Sequence, residues 1–346
     1  MPIASAKVQG SLPPGHSLVI RQIVREMFGP RGRGVSGLEE MLADNDRAIA
    51  ALPGVVHAVR SSPSRHVFSE GPMRSLRLEE KAMVMLRMVA LLPGIIAGWR
   101  LPPRGWKSTI DTIDTSTLAL AKAKAELLGA RYFALTPVPQ EDIFLGKAIP
   151  HASAIVFTVE MDAPSIALAP SLETLFTVMA TYSRLGIIAS GLAAFLRACG
   201  ISACAGAALG GQTDYPALAE LAGLGARGRH GLLITPAAGP RQRIGVVYAG
   251  IRNLPAPPAN AHTWVREFCA RCGRCIRECP VQAIREVPLD LPGGRRSCVD
   301  GDACLHYFEA NYGCSVCVKA CPFSTVGYEK IRAGLSPSAV VARPGS

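Results

Sequence analysis

The stretch CARCGRCIRECP, residues 269–280, sets Cys269, Cys272, Cys275 and Cys279 in the spacing C-x2-C-x2-C-x3-C and closes it with Pro280. Thiolates at these intervals wrap a 4Fe–4S cubane. A structural zinc site also uses CxxC pairs, but it needs four ligands and is rarely served by a run of three short intervals ending in proline. A second run follows at Cys314, Cys317 and Cys321, again closed by a proline, Pro322. Two runs in tandem predict two 4Fe–4S clusters on a ferredoxin-like fold. In two-cluster ferredoxins the fourth cysteine of each run crosses to the other cluster. That rule assigns Cys269, Cys272, Cys275 and Cys321 to one cluster, and Cys279, Cys314, Cys317 and one further cysteine to the second. Cys304 and Cys298 are the candidates for the last place. Cys304 is favoured because it opens a segment, CLHYFEANYGC (304–314), that could fold back as a helix. Cys199 and Cys204 lie in a small-residue stretch and are expected to be packed.

The chain of 346 residues is long enough for two domains, and 49% hydrophobic with 18% charged residues predicts a packed core. The formal net charge of +11 is spread along the sequence rather than gathered in a basic run with interleaved aromatics. A basic soluble surface is therefore favoured over a nucleic-acid patch, and an acidic electron donor is another reason for such a charge. The 11 cysteines follow metal spacing, not the pattern of a secreted disulfide framework. Met1–Gly15 has no apolar signal-like core and no twin-arginine pair, and neither Met88–Trp99 nor Leu185–Gly211 reads as a membrane span. These features predict a cytoplasmic protein.

Along the chain, residues 1–110 read as a mostly helical region, with Leu38, Met41 and Leu42, and Met83, Leu86, Val89 and Ala90, at helical spacing, and the methionines of the second stretch read as core packing rather than cofactor contacts. Pro53–Gly54 and Pro93–Gly94 read as turns. Residues 111–258 form the expected core. Within it a helix is predicted over Thr109–Leu128 with Gly129 as its stop, and one long helix or two over Leu172–Arg197. Strands are predicted at Ala154–Glu160, Gly231–Thr235 and Ile244–Tyr248. The proline-rich LPAPPAN (254–260) marks a boundary to a cluster domain over residues 259–330, and residues 331–346 read as a flexible tail.

Between residues 154 and 323 an ordered set of segments resembles one family. EMDAPSIALAPS (160–171) and Tyr182–Gly186 come first. AGLGARGRHGLLIT (222–235), PAAGPRQRIG (236–245) and YAGIRNLP (248–255) follow, and NYGCSVCVKACPF (311–323) closes the set. This order resembles the corrinoid-dependent reductases, namely the reductive dehalogenases and epoxyqueuosine reductase. The details resemble the dehalogenases more. Ala226–Arg229 stands where epoxyqueuosine reductases carry Trp-Ile-Gly-Lys, and Asp214-Tyr215-Pro216 is all that corresponds to their acidic Asp-Ser-Ala-Pro.

The resemblance implies an α/β (α+β) nitroreductase-like core holding base-off cobalamin, joined to the C-terminal two-cluster domain. It implies a cytosolic reductase, most simply a reductive dehalogenase, acting on a small organic molecule with electrons from an external ferredoxin or flavodoxin. Tyr182 matches the family's proton-donating tyrosine, with Arg243 and Arg241 as the cations that would steady a tyrosinate. Tyr215 and Asp214 are runner-up acids. Gly223, Gly225, Gly228 and Gly231 would let backbone approach a flat ligand, and Arg227 and Arg229 would meet its polar groups. An epoxyqueuosine-type tRNA-modifying reductase, and an electron-transfer subunit without cobalamin, are the competing functions.

Overall fold

The computed structural model describes residues 37–52, 54–57, 76–98, 108–208, 210–290 and 296–335. Two helices, α1 (Gly37–Ala50) and α2 (Leu78–Ala97), flank the two-residue strand β1 (Val56–His57). Next come α3 (Thr115–Leu127), β2 (Tyr132–Pro137), β3 (Ala148–Ile149), β4 (Ser153–Glu160), α4 (Ala163–Ala167) and α5 (Leu172–Ala198). The core closes with β5 (Ala203–Ala205), α6 (Tyr215–Leu221), β6 (Ala226–Arg227), β7 (Leu233–Ile234) and β8 (Gln242–Ala249). The cysteine region holds α7 (Trp264–Cys272), α8 (Arg274–Arg277), β9 (Ile284–Asp290), β10 (Arg296–Val299), α9 (Gly301–Ala310), α10 (Val316–Ala320), α11 (Pro322–Thr325) and α12 (Tyr328–Ala333).

The core is a four-stranded antiparallel sheet in the order β2-β4-β8-β5. β4 is apolar without alternation because both of its faces are covered. Ile155, Phe157 and Val159 pack against Leu185, Ile188 and Leu192 of α5. Ala154 and Val156 point the other way, onto Leu218 and Ala219 of α6. Each large side chain buried in this way contributes about 1.5–3 kcal/mol. Gly245 of β8 lies under Phe157, so that a Cβ there would come within 2.3 Å of the ring.

α5 is a single helix of 27 residues capped by Ser171, whose hydroxyl accepts from the Thr174 N–H. Among the described residues it is the one helix long and apolar enough to cross a membrane, and half of its most apolar window is buried within the fold.

Several sequence expectations shift. Pro93–Gly94 lies inside α2 rather than at a turn. Close helix crossing explains this: a Cβ on Gly94 would sit 2.1 Å from Ser183 Oγ, and one on Gly186 would sit 2.0 Å from the Gly94 carbonyl oxygen. α2 therefore buries Val84, Leu92, Gly94 and Ile95 against the core, while Met83, expected to pack, is exposed, as are Leu86 and Val89. α3 begins at Thr115, not Thr109, because the Asp114 carboxylate caps it by accepting from the Thr117 N–H. The strand expected at Gly231–Thr235 shortens to Leu233–Ile234. Residues 331–333 belong to α12, held by buried Ile331, so ordered structure runs past the expected start of the tail. Pro53 and the Leu38, Met41 and Leu42 side chains lie outside the described residues.

Candidate redox and catalytic site

The cysteine run is shaped by local backbone. Gly273 caps α7 at φ 58°, which turns the chain sharply between Cys272 and Cys275. In the second run Tyr312, Cys314 and Ser315 take left-handed φ values of 51°, 39° and 65°. Non-glycine residues rarely adopt this conformation.

Two groups of four thiols result. Cys321 is buried and surrounded by Cys269, Cys275 and Cys272, and burial first, then these neighbours, push its thiol up to about 12. Cys304 is pushed up to about 11 by burial, with Cys314 and Cys279 beside it. Cys317 is raised further, by burial and then by Cys304, Cys314, Cys275 and Cys279. Thiols so reluctant to ionise become ligands only when a metal core offsets the charge. Cys298 stands apart, with its sulfur 4.0 Å from Arg229 Nη1. Among the described residues no three His, Cys, Asp or Glu side chains converge as a single-ion site. Cys204 is packed as expected, its thiol raised to about 11 by burial, whereas Cys199 is only half-buried at the end of α5.

Tyr182 and Arg243 come together although 61 positions separate them in sequence (243 − 182). α5 presents Tyr182 and β8 presents Arg243, whose guanidinium carbon lies 5.2 Å from the tyrosine ring centroid. Tyr182 also packs against a buried apolar group of Met161, Ile166, Val178 and Val318, the same group that Leu232 and Cys317 pack against. Arg241 Nη1 donates to the Met161 carbonyl at 3.5 Å. The Nε atoms of both Arg241 and Arg243 are buried without a hydrogen-bond partner among the described residues.

The glycine run serves a different purpose from the one its composition suggests. A Cβ on Gly225 would strike the Ile234 carbonyl oxygen at 2.2 Å, one on Gly228 would strike Ile234 Cδ1 at 2.7 Å, and one on Gly223 would strike Pro258 at 2.8 Å. These three positions pack β6 against β7 and the 254–260 segment, and protein atoms already fill the space. Only Gly231 has ordinary room, with Val299 at 3.5 Å.

The arginines expected to meet a ligand are also engaged. Arg227 pairs with Glu220 at 3.1 Å and Asp214 at 3.3 Å. Arg229 donates to the Glu286 carbonyl, and its backbone N–H supports the Cys269 sulfur. The runner-up acids are occupied too. Asp214 caps α6 and pairs with Arg227, while Tyr215 is held far above the ordinary tyrosine range by burial and donates to the Ala207 carbonyl at 2.9 Å.

Glu220 went unnoticed in the sequence. It accepts from Arg227 and, at 2.7 Å, from Arg266 of α7, and it joins the core to the cysteine region. A lone acid in the otherwise apolar YPALAEL was its signal.

Residues 262–285 match the 4Fe-4S binding domain family. Over 188 residues the chain is 37% identical to the tetrachloroethene reductive dehalogenase of Desulfitobacterium hafniense, covering 50% of this chain and 33% of that protein. It is 34% identical over 184 residues to the enzyme of the same name from Sulfurospirillum multivorans, covering 50% of this chain and 35% of that one. Over these residues the chain is similar to the reductive dehalogenases. It spans about a third of the length of these curated relatives. An epoxyqueuosine reductase of Francisella cf. novicida is 30% identical over 124 residues, covering 31% of each chain. The fold is that of the catabolic reductive dehalogenase NpRdhA, at a TM-score of 0.60 and 20% identity over 81% of this chain and 45% of the other. The chain thus combines a mixed α/β core of this fold with a region matching a 4Fe-4S binding domain.

Proposed function

We propose that this chain is a corrinoid- and iron–sulfur-dependent reductase that removes halogen from a small organic molecule. The observation that carries this reading is Arg243 stacked over Tyr182, with Tyr182 and Cys317 of the second quartet packed against one buried apolar group. Cys269, Cys272, Cys275 and Cys321 would hold one 4Fe–4S cluster, and Cys279, Cys304, Cys314 and Cys317 the other. The nitroreductase-like core would hold cobalamin, base-off, beside Tyr182, where the unpartnered Nε atoms of Arg241 and Arg243 suit polar groups of a ligand. Gly223, Gly225 and Gly228 are already required by packing against Pro258 and Ile234, and Arg227 is paired with Glu220, so Arg241 and Arg243 carry the ligand contacts in this proposal. When bound, the corrinoid supplies low-valent cobalt for breaking the carbon–halogen bond, with electrons from the clusters.

The chain's own groups supply the proton and its control. The net reaction takes up two electrons and one proton, replaces the halogen by hydrogen and releases halide. Tyr182 Oη would deliver the proton, and the adjacent Arg243 guanidinium would stabilise the tyrosinate left behind. The apolar wall of Met161, Val178 and Leu232 would keep bulk water from competing as proton source.

The test is anaerobic reconstitution with iron, sulfide and cobalamin, then halide release from 3-bromo-4-hydroxybenzoate, the ligand in an NpRdhA complex, and from tetrachloroethene. Corrin absorbance that stays with the protein through gel filtration, together with halide release, is the expected result. Protein that keeps iron but no corrin would overturn the reading in favour of an electron-transfer subunit. Localisation in the cytoplasm and a ferredoxin or flavodoxin donor complete the proposal.

A further inference from the structure

Electrons must reach the thiol quartets from outside, and the surface that offers them a route is unevenly charged. Cys321 is buried and Cys317 packs against the buried Met161, Val178 and Val318 group, whereas Cys272, Cys275 and Cys279 remain half-buried near solvent. Interleaved with these three are Arg271, Arg274 and Arg277, all exposed. Neighbouring arginines are neutralised: Arg266 pairs with Glu220 and Arg285 with Asp300. Arg271, Arg274 and Arg277 have no ion-pair partner among the described residues, and Glu278 is the one acid within the same stretch of the run.

Beside them opens a groove of about 620 Å³ lined by Arg277, Cys279, Pro280, Arg285, Val287 and Leu289. Val287 there is 71% exposed, on a strand, β9, that pairs only with β10 among the described residues. A small apolar centre within a basic rim is the anatomy of a transient protein-docking surface.

We infer that the face formed by Arg271, Arg274, Arg277 and the β9 groove is the docking surface for an acidic one-electron carrier protein of the iron–sulfur or flavin type. The inference rests on the clusters proposed above. Charge complementarity selects the partner: arginines left unneutralised around half-exposed cluster thiols attract an acidic surface and steer its approach. One electron leaves the reduced carrier and one is gained by a cluster, with no other bond change.

The experiment mixes reconstituted protein with a reduced acidic 2Fe–2S ferredoxin in stopped flow and follows bleaching of the cluster absorbance, a readout independent of corrinoid and substrate. The Arg271→Glu, Arg274→Glu, Arg277→Glu triple variant should lower the second-order rate constant at least tenfold at low ionic strength, and the normal slowing with added salt should vanish. Reduction by photoreduced 5-deazariboflavin, a small neutral donor, should stay unchanged, and the corresponding triple glutamine variant should fall between. An unchanged rate with ferredoxin, or an equal loss with deazariboflavin, would overturn the inference. So would normal electron transfer accompanied by lost binding to a tRNA stem-loop, since the arginines would then be a nucleic-acid surface. A wild-type preparation that assembles no clusters overturns this inference and the proposed function together; clusters that form and respond equally in all variants overturn the docking surface alone.

Discussion

Arg243 holds its guanidinium 5.2 Å from the centre of the Tyr182 ring, the two residues arriving from β8 and α5 on the same side of the sheet. The cation has Tyr182 as its aromatic neighbour, and its Nε has no hydrogen-bond partner among the described residues, so the positive charge is available to the tyrosine and to whatever binds beside it. Tyr182→Phe keeps the ring, the packing and both thiol quartets, and removes only the hydroxyl. Turnover should fall about 10²–10⁴-fold, the ordinary worth of a placed general acid, while iron and corrin content stay at wild-type levels. Arg243→Gln should depress kcat with a smaller effect on cofactor content. Turnover that survives Tyr182→Phe would remove the tyrosine from the mechanism.

The eighth ligand separates two neighbouring cysteines. Cys304 lies with Cys314, Cys279 and Cys317, whereas Cys298 faces Arg229. Cys304→Ser should drop the reconstituted protein from about eight irons per chain to about four, or convert the second cluster to a three-iron form with its own EPR signal. Cys298→Ser should leave both iron content and spectrum unchanged. Iron counted by colorimetry on matched preparations decides between them.

That the cysteine thiols gather near one another was legible because their short spacing C-x2-C-x2-C-x3-C keeps them together along the chain. The Tyr182–Arg243 pair was legible only through family resemblance, since nothing local links positions on a helix and a strand so far apart in sequence. The glycine run misled for a physical reason. Glycine answers equally to a ligand and to a neighbouring strand, and at Gly225 the Ile234 carbonyl already fills the space. Composition cannot separate those causes. The Pro93–Gly94 turn failed in the same way, because Gly94 serves a helix crossing invisible along the chain. Glu220 was missed because its partners, Arg227 and Arg266, acquire meaning only once α6, β6 and α7 are packed together.

The crossing of α2 and α5 leaves no volume for a methyl group. At Gly186 the obstacle is the Gly94 carbonyl oxygen, 2.0 Å from where an alanine methyl would sit, and backbone yields less readily than a flexible side chain. Gly186→Ala should therefore cost about 1–3 kcal/mol of stability despite alanine's better helix propensity. Gly191→Ala on the same helix, whose nearest neighbours are side-chain carbons at 3.7 and 3.8 Å, should be neutral or slightly stabilising. Urea titrations of the two variants against wild type should show the midpoint moving in opposite directions or only for Gly186→Ala.

Glu220 ties the core to the cysteine region, and its loss should be felt in both. Its carboxyl lies below the ordinary range: desolvation raises it, but the Arg227 backbone N–H, Arg266 and the Arg227 charge together outweigh that effect. A depressed folded-state pKa means the stabilisation is complete above the unfolded value of 4.5 and is lost as pH falls through the folded one. Glu220→Gln should therefore destabilise at pH 7 by about 1–3 kcal/mol, the range for a buried charge-assisted hydrogen bond. The difference from wild type should shrink as pH drops below 4.5.

His151 supplies the opposite control on acid stability. Burial holds its imidazole down at about 4, against an ordinary 6.5, and its Nε2 shares a 2.8 Å hydrogen bond with Ser202. In the unfolded chain the ring protonates first, so its contribution to stability is intact above pH 6.5 and erodes as pH falls from 6.5 toward 4. His151→Gln removes the titrating group while keeping a polar side chain within reach of Ser202. The variant should be somewhat less stable at pH 7.5 but lose stability less steeply between pH 6.5 and 4, a window that opens well above the one set by Glu220. Parallel pH–stability curves for variant and wild type across that window would show that His151 does not titrate on unfolding, and the acid limb would then have to be assigned to other groups.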